Sequence, residues 1–324
     1  PLFTCTLAPL PRRARLGPMA PAEHIPVSVV LVTYNSADYL SVCLDELGRS
    51  RGVDLEVIVV DNESKDASAE IAEAHPVVDR VIRTGANLGC AGGNNVGWRA
   101  ATKPYFVMLN ADCAVEPDAI HELCRVLRDE ESVGVAGAKL LYPHSRTIQH
   151  VGGILHPNAM AEHPGVREED AGQHDEDRDV DYVTGALAAF RRADLEALGG
   201  FDEDFWPAYY EESDICFRMR RSGKKVRYVH TAVGYHWESV ELGMMSPALV
   251  RMSYRSRMIF IVKNTNPASF FAGFLPFELR WFFGPFARGY RLPVLRSYVS
   301  GAKFAARCLA RLRRRPRGVR NKLP

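Results

Sequence analysis

Short runs of β-branched residues alternate with amphipathic helical stretches through the first half of this chain, from residue 27 to about 141. Residues 27–33 form a continuous apolar run, which is typical of a strand buried on both faces of a parallel sheet. Further strands are predicted at 55–60, 80–83, 105–109 and 133–140, and helices at 37–50, 64–74 (with Ser64 as N-cap), 93–101 and 117–129. Strands joined by crossover helices predict an α/β domain with a mostly parallel, doubly wound sheet.

Polar residues follow three of the predicted strands. They are Thr33, Tyr34 and Asn35 after the first strand, Asp61 and Asn62 after the second, and Asn110 and Asp112 after the fourth. Open α/β sheets bind ligands in the crevice beyond the carboxyl ends of their strands. We therefore expect these residues to share one ligand site.

The segment 85–97 is rich in glycine, which suggests a dinucleotide-binding loop. A dehydrogenase fingerprint follows the first strand of a βαβ unit, whereas these glycines follow the third strand. That position argues against a dehydrogenase. We expect the glycines to let the backbone approach a nucleoside, with Asn87, Gly89 and Asn94 as contacts, although a purely structural loop is the alternative.

The second half of the chain has a different pattern. Residues 142–182 are rich in loop formers, 182–191 and 225–229 read as strands, and 194–198 and 211–222 read as helices. We divide the chain into a flexible N-terminal segment (1–26), a catalytic domain (27–245, with halves 27–141 and 142–245), a helical extension (246–302) and a basic tail (303–324). The extension mixes basic and aromatic residues, so it either rests on a membrane surface or packs on the catalytic domain.

Charge and cysteine content narrow the class of protein. The formal net charge is only +2, but residues 303–324 carry nine Lys and Arg and no acidic residue. Such a tail binds anionic membranes or nucleic acid, or is simply solvated, and we expect no nucleic-acid partner. Seven cysteines without Cys-x-x-Cys spacing favour a reduced, cytoplasmic compartment. Peripheral contact with the inner face of the cell membrane is the alternative that the C-terminal region adds. No convincing transmembrane segment or signal peptide is present in the sequence.

Seven motifs in order resemble those of family 2 glycosyltransferases, which are inverting enzymes with the GT-A fold. The motifs are SVVLVTYNS (28–36), VVDNESKD (59–66), NLGCAGGNNVG (87–97), LNAD (109–112), VTGA (183–186), GGFDE (199–203) and EESDICFR (211–218). The similarity covers residues 27–240, and the nearest subgroup is the rhamnosyltransferase-like enzymes. The first four motifs correspond to the donor half of the family, and the last three to the acceptor half.

The resemblance implies a divalent metal site. Asn110-Ala-Asp112 is similar to the Asp-x-Asp metal motif of the family, with Asn in the first position, and His236 matches a histidine that completes the site. Asp112 and His236 are therefore the expected ligands of Mg²⁺ or Mn²⁺, which neutralises a diphosphate leaving group. Asn110 is expected to contact ribose or a metal-bound water. A strand-end turn and a structural histidine are the alternatives.

The resemblance also implies a general base. It falls on Glu212, where Glu replaces the usual Asp of the family, and Glu211 and Asp214 are the fallback candidates. Asp214 precedes Arg218 by four residues, so a helical salt bridge is its expected role. Electrostatic stabilisation of a helix N-terminus is the alternative for the whole acidic cluster.

The remaining expected contacts belong to the substrates. Thr33, Asn35, Asp61 and Asn87 hold the nucleoside end, with Tyr34, Asn62 and Gly89 in the same cleft; Gly185, Trp206 and Trp237 are the other substrate contacts, and core packing is the alternative for both tryptophans. Capping of the next helix is the alternative for Asp61 and Asn62.

The expected activity is metal-dependent transfer of a sugar, with rhamnose suggested by the subgroup, from a nucleotide-diphosphate donor to a saccharide or lipid-linked acceptor. Such a reaction serves cell-surface polysaccharide or glycolipid assembly. A nucleotidyltransferase lacks support because no Gly-rich triphosphate loop follows the first strand. A non-catalytic nucleotide-sugar-binding protein is the other alternative.

Overall fold

The computed structural model describes residues 24–237, 247–284 and 291–314, without the side chains of 247, 248, 309 and 311–314. Its strands are β1 (Ile25–Thr33), β2 (Val53–Asp61), β3 (Arg80–Arg83), β4 (Tyr105–Asn110), β5 (Cys113–Val115), β6 (Val133–Leu141), β7 (Ile148–His150), β8 (Ile154–Leu155), β9 (Ala161–Glu162), β10 (Arg178–Asp179), β11 (Leu187–Arg191) and β12 (Lys225–His236). Its helices are α1 (Ala37–Leu47), α2 (Ser68–Ala74), α3 (Gly89–Ala100), α4 (Ala119–Asp129), α5 (Arg192–Ala197), α6 (Glu211–Arg221), α7 (Pro247–Asn264), α8 (Pro267–Ser269), α9 (Leu275–Phe283) and α10 (Arg291–Arg314).

One large sheet forms the centre of the molecule, with strand order β10-β12-β6-β11-β4-β1-β2-β3. Strands β1 to β4 are mutually parallel, and β12 is parallel to β6. Strand β11 runs antiparallel between β4 and β6, and the short strands β5, β7 and β10 are also antiparallel to their partners. The mostly parallel α/β sheet expected from the sequence is confirmed.

Two apolar layers cover the sheet, because successive side chains of a strand point to opposite faces. Val29 and Leu31 of β1 pack with α1 and α4 on one face, whereas Val30 packs with Trp98 of α3 on the other. All three β1 side chains are fully buried. This double coverage explains why β1 is apolar without alternation.

Two glycines of α3 allow this helix to lie directly on β1. A Cβ atom at Gly97 would lie 2.2 Å from Cγ1 of Val30, and one at Gly93 would lie 2.6 Å from Cγ1 of Val32. Both contacts are far shorter than van der Waals separation. At these two positions the glycines are therefore structural, which was the alternative to a ligand-binding role for the glycine-rich segment.

The start of the second crossover helix differs from the sequence prediction. Ser64 is not its N-cap, since α2 begins four residues later, at Ser68. The Ser64 hydroxyl instead accepts a hydrogen bond from the backbone N–H of Asn35 at 3.0 Å. Ser64 thus links two loops, a role that local sequence preferences do not reveal.

Two strand predictions in the second half had wrong limits. The strand predicted at 182–191 begins only at Leu187, and the strand predicted at 225–229 continues to His236. Pairing of β12 with β6 is irregular between Val229 and Val233, close to the point where the predicted strand ended. The additional residues of β12 are important because they bring His236 to the end of the sheet where β1, β2 and β4 terminate.

The C-terminal helices pack on the second half of the domain. Asn264 of α7 donates to Asp214 at 2.9 Å, and Lys263 forms ion pairs with Asp202 and Asp204. An aromatic cluster that includes Phe205, Phe260 and Phe304 joins the domain to α7 and α10. These contacts support the packing alternative for one side of the extension.

The predicted boundaries at the chain ends need one correction. The expected basic tail begins at 303, but α10 runs on to Arg314, so residues 303–314 are the end of a helix. Residues 315–324, most of the N-terminal segment 1–26, and the expected domain end at 245 lie outside the described residues. None of the helices in the described ranges combines the length and apolar character needed to cross a bilayer.

We expect Gly97→Ala to destabilise the protein by about 1–3 kcal/mol, because the added methyl group must push α3 away from β1. Chemical denaturation monitored by circular dichroism measures the change. Gly273→Ala is the matched control, since its Cβ would meet Pro157 only at 3.6 Å. In the double variant with Val30→Ala, part of the loss should be recovered; strictly additive losses would contradict the proposed contact.

Candidate active site

The parallel register brings the predicted polar strand ends to one edge of the sheet. Thr33 lies opposite Asp61 in the β1–β2 pair, and Val32 lies opposite Asn110 in the β1–β4 pair. The backbone N–H of Asn62 donates to the carbonyl of Thr33 at 2.8 Å. Residues far apart in the chain therefore meet at this edge, as the fold class predicted.

Two buried polar atoms at this edge have no hydrogen-bond partner within the described part of the chain. They are Oγ1 of Thr33 and Oδ1 of Asn62, and both residues are almost completely buried. Most buried polar groups in proteins are paired. Unpaired atoms at a strand edge are therefore available to a bound ligand or water.

Asn35 and Asp61 hold the first two loops of the edge. Asn35 has a positive φ of 54° and accepts the backbone N–H of Lys65 on its Oδ1 at 2.7 Å. Both carboxylate oxygens of Asp61 lie 3.3 Å from the backbone N of Ser64. Asp61 is thus held by the following loop while remaining at the sheet edge, and it does not cap α2.

The start of α3 contacts a loop from the second half of the chain. Gly89 has a φ of +73°, and a Cβ there would lie 2.6 Å from the carbonyl oxygen of Pro207. The indole N–H of Trp206 donates to the carbonyl of Asn87 at 3.1 Å, and the N–H of Cys90 donates to Pro207 at 2.8 Å. Gly89 is therefore required for close approach between two parts of the protein.

Asn94 is used differently from the prediction. Its side-chain amide donates to the carbonyl of Cys90 within α3 at 2.9 Å, and it does not line the cavity described below. Asn95, which was not predicted, has the larger structural role. It bonds to the backbone of Phe201 in both directions and to the side chains of Trp98 and Glu203.

Asp112 and His236 lie side by side, as the metal prediction requires. Oδ1 of Asp112 is 3.2 Å from Nε2 of His236, and the carboxamide nitrogen of Asn110 is 3.3 Å from the same Nε2. Pairing of β12 with β5 produces this proximity, because it sets His236 opposite Cys113. Burial raises the pKa of the Asp112 carboxyl, but the hydrogen bond and charge of His236 outweigh burial and lower it overall.

Gln149 fixes the orientation of the His236 ring. Its carboxamide donates to the His236 carbonyl at 2.9 Å, and its Oε1 lies 2.7 Å from Nδ1 of the ring. With Nδ1–H donated to Gln149, Nε2 is directed towards Asp112. No sequence pattern pointed to Gln149, which lies in the loop-rich region.

The pair of Asp112 and His236 fits a divalent cation. A ring nitrogen and a carboxylate oxygen facing each other need either a shared proton or a cation between them, and both are ligand types found at metal sites. Among the described residues no three His, Cys, Asp or Glu side chains converge to form a closed metal cage. Two protein ligands would leave coordination positions for phosphate oxygens and water, as is usual for Mg²⁺.

The acidic pair lies at the start of α6. Glu211 is buried, and its Oε2 has no hydrogen-bond partner among the described residues. Glu212 is half-buried and accepts a hydrogen bond from the Ser213 hydroxyl at 3.3 Å. Burial raises the pKa of both carboxyls, and the negative charge of Glu212 raises that of Glu211 further. A carboxylate with a raised pKa is a stronger base than an exposed one.

The thiol of Cys90 is affected both by the acidic pair and by Asp112. Burial, followed by the charges of Glu211, Glu212 and Asp112, raises the pKa of its thiol well above the usual range. The thiol also donates a hydrogen bond to Glu211. The negative charges of all three carboxylates therefore act on one thiol.

Asp214, a fallback candidate for the base, is fully engaged in structural contacts. Its Oδ2 accepts from Nε of Arg218 at 2.6 Å, which confirms the predicted helical salt bridge. Its Oδ1 accepts from Asn264 at 2.9 Å. Both oxygens hold neighbouring elements in place, so the structure does not support a catalytic role for Asp214.

A cavity of about 550 Å³ lies at this edge of the sheet. Eight of the predicted site residues line it: Tyr34, Asn35, Asn62, Asn87, Gly89, Asn110, Asp112 and Trp206. Its wall also contains residues that the sequence analysis missed, among them Ser36, Tyr39, Cys90, Pro207 and Met252. The predicted residues outside its wall are Thr33, Asp61, Asn94, Gly185, Glu211, Glu212, Asp214, His236 and Trp237.

Gly185 and Trp237 lie outside the cavity wall and contact residues of the site. A Cβ at Gly185 would lie 2.1 Å from Cε of Met108 and 3.6 Å from Cβ of Glu212. The ring of Trp237 lies 5.5 Å from that of Tyr39, and the backbone N–H of Trp237 donates to the backbone carbonyl of Asp112 at 3.0 Å. Trp206 is different, since its ring is 51% exposed at the cavity wall and is free to stack on a ligand.

Comparison with known proteins gives related sequences in polysaccharide assembly. The chondroitin synthase of Escherichia coli is 25% identical over 238 residues, which are 65% of this chain and 34% of the synthase. The O-antigen biosynthesis protein RfbC of Myxococcus xanthus is 29% identical over 236 residues, which are 69% of this chain and 18% of that protein. This chain therefore spans about a third or less of the length of these two relatives.

A solved structure and a family profile complete the comparison. The mannosyltransferase PcManGT from Pyrobaculum calidifontis, in complex with GDP-Man and Mn²⁺, superposes with a TM-score of 0.54 at 21% identity, covering 88% of this chain and 78% of that chain. At this identity the likeness shows the fold, which is GT-A. The profile of the family described as "Glycosyl transferase family 2" matches residues 28–199, more than half of the chain. The chain belongs to glycosyl transferase family 2.

Proposed function

We propose that the protein is an inverting, metal-dependent glycosyltransferase that moves a sugar from a nucleotide-diphosphate donor to an acceptor hydroxyl. The proximity of Asp112 and His236 at the cavity edge carries this proposal. The charges of Glu211, Glu212 and Asp112 support it, because all three act on the thiol of Cys90, which lines the same cavity. Family membership and the related sequences support polysaccharide or glycolipid assembly as its setting. The mannosyltransferase with GDP-Man and Mn²⁺ supports a nucleotide-sugar donor and a divalent cation.

Asp112 and His236 would hold Mg²⁺ or Mn²⁺ in this proposal. When bound, the cation neutralises the diphosphate, which is otherwise a poor leaving group. Asn110 lies against the same His236 nitrogen and would orient a ribose hydroxyl or a metal-bound water. Gln149 keeps Nε2 of the ring directed at Asp112.

Glu212 is the proposed general base. It takes the proton of the acceptor hydroxyl while that oxygen forms a bond to the anomeric carbon and the bond from that carbon to the diphosphate oxygen breaks. A single displacement of this kind inverts the anomeric centre, and its transition state has oxocarbenium character. Glu212 is preferred to Glu211 because it is half-buried and can meet an acceptor, whereas Glu211 is buried.

The donor occupies the crevice beyond β1, β2 and β4. Thr33 and Asn62 offer unpaired polar atoms, and Asn35 and Asn87 line or border the cavity beside them. We propose that this region holds the nucleoside and that Trp206 stacks on a sugar face. Resemblance to the rhamnosyltransferase-like subgroup makes a deoxythymidine-diphosphate rhamnose donor the first to test, within a panel of sugar nucleotides screened by thermal shift with Mn²⁺.

Asp112→Asn should lower transfer by roughly a thousandfold, because loss of the charge removes several kcal/mol of leaving-group stabilisation. Mn²⁺ binding, followed by electron paramagnetic resonance, should weaken in parallel. Asp118→Asn, at an exposed position, is the control and should change neither quantity. Unchanged Mn²⁺ affinity in the Asp112 variant would contradict its role as a ligand.

Gln149→Leu should weaken Mn²⁺ binding by about 10- to 100-fold, since the His236 ring loses the acceptor that fixes its orientation. Isothermal titration with Mn²⁺ measures this effect without any turnover. Gln149→Glu retains an acceptor for Nδ1–H and should preserve most of the affinity. Equal losses in both variants would point to a general packing defect instead of ring orientation.

Glu212→Gln should lower transfer by about 10²- to 10⁴-fold while donor affinity stays close to that of the parent protein. The measurement is single-turnover transfer from the donor identified in the thermal-shift panel, together with donor titration. Glu211→Gln is the companion variant and should retain more transfer. Normal turnover of Glu212→Gln combined with an inactive Glu211→Gln would assign the base to Glu211.

A further inference from the structure

Exposed apolar side chains are concentrated at the C-terminal end of the structure. Of thirteen exposed large apolar residues in the described ranges, seven fall between residues 271 and 299. We call these seven the C-terminal apolar face: Phe271, Phe277, Leu279, Phe283, Leu292, Leu295 and Val299. Scattered exposed apolar residues are normal, but a concentration of this kind marks an interaction surface.

A groove lies between α7, α9 and α10, and the last two helices carry every member of this face except Phe271. It has a volume of about 490 Å³ and is lined by Leu279 and Phe283 of α9, Leu295 of α10, and Met258 and Ile261 of α7. Three members of the C-terminal apolar face, Leu279, Phe283 and Leu295, therefore border one common depression.

The polar groups beneath the groove form one hydrogen-bonded cluster, in which Nε of Arg257 has no hydrogen-bond partner among the described residues. Arg257 and Glu278 form a bidentate ion pair, with one contact of 2.8 Å, and the two residues are 1% and 4% exposed. The hydroxyl of Tyr298 and the carboxamide of Asn158 also donate to Glu278. Because these groups neutralise each other, the groove presents hydrocarbon to its surroundings.

Helix α10 has two opposite apolar sides. Val294, Gly301 and Phe304 are buried on the side that packs on α7, where a Cβ at Gly301 would lie 2.8 Å from Cβ of Met258. Leu295 and Val299 recur at helical spacing on the other side and are 49% and 56% exposed. Packing within the chain therefore accounts for one side of α10 and leaves the second without a cover among the described residues.

Positive charge accompanies the exposed side. At 3.6 residues per turn, Arg296, Lys303 and Arg307 lie along one flank of the Leu295 and Val299 stripe, and all three are exposed. Residues 279–324 contain thirteen Lys and Arg and no Asp or Glu. An apolar stripe bordered by basic residues is the pattern of helices that lie in the interface of an anionic bilayer.

We propose that the C-terminal apolar face docks onto an anionic phospholipid bilayer, with Phe271, Phe283 and Leu295 in the acyl boundary and Arg296, Lys303 and Arg307 on the lipid phosphates. The charge pattern favours this occupant over a second copy of the chain, because a self-complementary interface would bring two uniformly basic segments together. Docking goes beyond the proposed transfer reaction and does not depend on it.

The test uses flotation of the 324-residue chain with vesicles of phosphatidylcholine, alone or mixed with phosphatidylglycerol. The chain should float with the mixed vesicles and only weakly with phosphatidylcholine alone. The double variant Phe283→Ser with Leu295→Ser should lower partitioning by about tenfold or more, since two apolar side chains no longer leave water. The double variant Arg296→Glu with Lys303→Glu should lower it to a similar extent, and only on the anionic vesicles.

The control variants carry comparable substitutions, from apolar residues to Ser and from Arg to Glu, elsewhere on the surface. Val42→Ser with Val166→Ser replaces residues that are 46% and 41% exposed, and Arg49→Glu with Arg80→Glu reverses two exposed charges. These variants should float like the parent chain, and circular dichroism should show that all the variants fold equally well.

Three results would overturn docking on a bilayer: no flotation of the parent chain, equal losses in the control variants, or a dimer in analytical ultracentrifugation that only Phe283→Ser with Leu295→Ser dissociates. The last result would assign the face to a second copy. Failure of flotation leaves the Asp112 and Glu212 assays unaffected, so the membrane surface and the transfer reaction are tested separately.

Discussion

The site depends on the register of three parallel strands, which end together at one edge of the sheet. In this register Thr33 lies opposite Asp61, and Val32 lies opposite Asn110. The polar side chains therefore lie at the ends of the strands, outside the two apolar layers that cover the sheet. A shift of one residue would exchange the faces of every β1 side chain and move Val29 and Leu31 out of their layer. Burial of the β1 side chains therefore fixes the register, and the register fixes the position of the polar strand ends. A buried polar atom without a hydrogen-bond partner at these ends lowers the stability of the fold by about 1–3 kcal/mol.

The second half of the chain contributes His236, on β12, to the same end of the sheet. Strand β12 continues past its irregularity at Val229 and pairs with β5, and this pairing brings His236 to Asp112. Gln149 then contacts both the ring and the carbonyl of His236, which ties β7 to the same strand. The proposed metal site is thus a junction of three chain segments, and its geometry depends on the integrity of the sheet around it.

The sequence predicted the parts of the site that follow a local pattern. Asp61 and Asn110 end short continuous apolar runs between helical stretches, so their position at strand ends follows from the pattern of residues alone. Gln149 and Met252 could not be found this way, because one lies in a loop-rich region and the other arrives through packing of α7. Gly97 shows a third limit of prediction from sequence. A glycine permits close approach either of a ligand or of a neighbouring strand, and the sequence does not distinguish the two. The structure does, because a Cβ at Gly97 would collide with Val30 of β1.

Helix α7 links the proposed site to the proposed membrane surface. Met252 lines the cavity and Arg255 donates to the Trp206 carbonyl, whereas Met258 and Ile261 line the apolar groove further along the same helix. Nine residues at 1.5 Å per residue separate Met252 from Ile261, or about 14 Å along the helix axis. A bilayer held against α9 and α10 would therefore lie within a few sugar units of the cavity. That separation suits an acceptor whose lipid remains in the membrane while its terminal hydroxyl reaches Glu212.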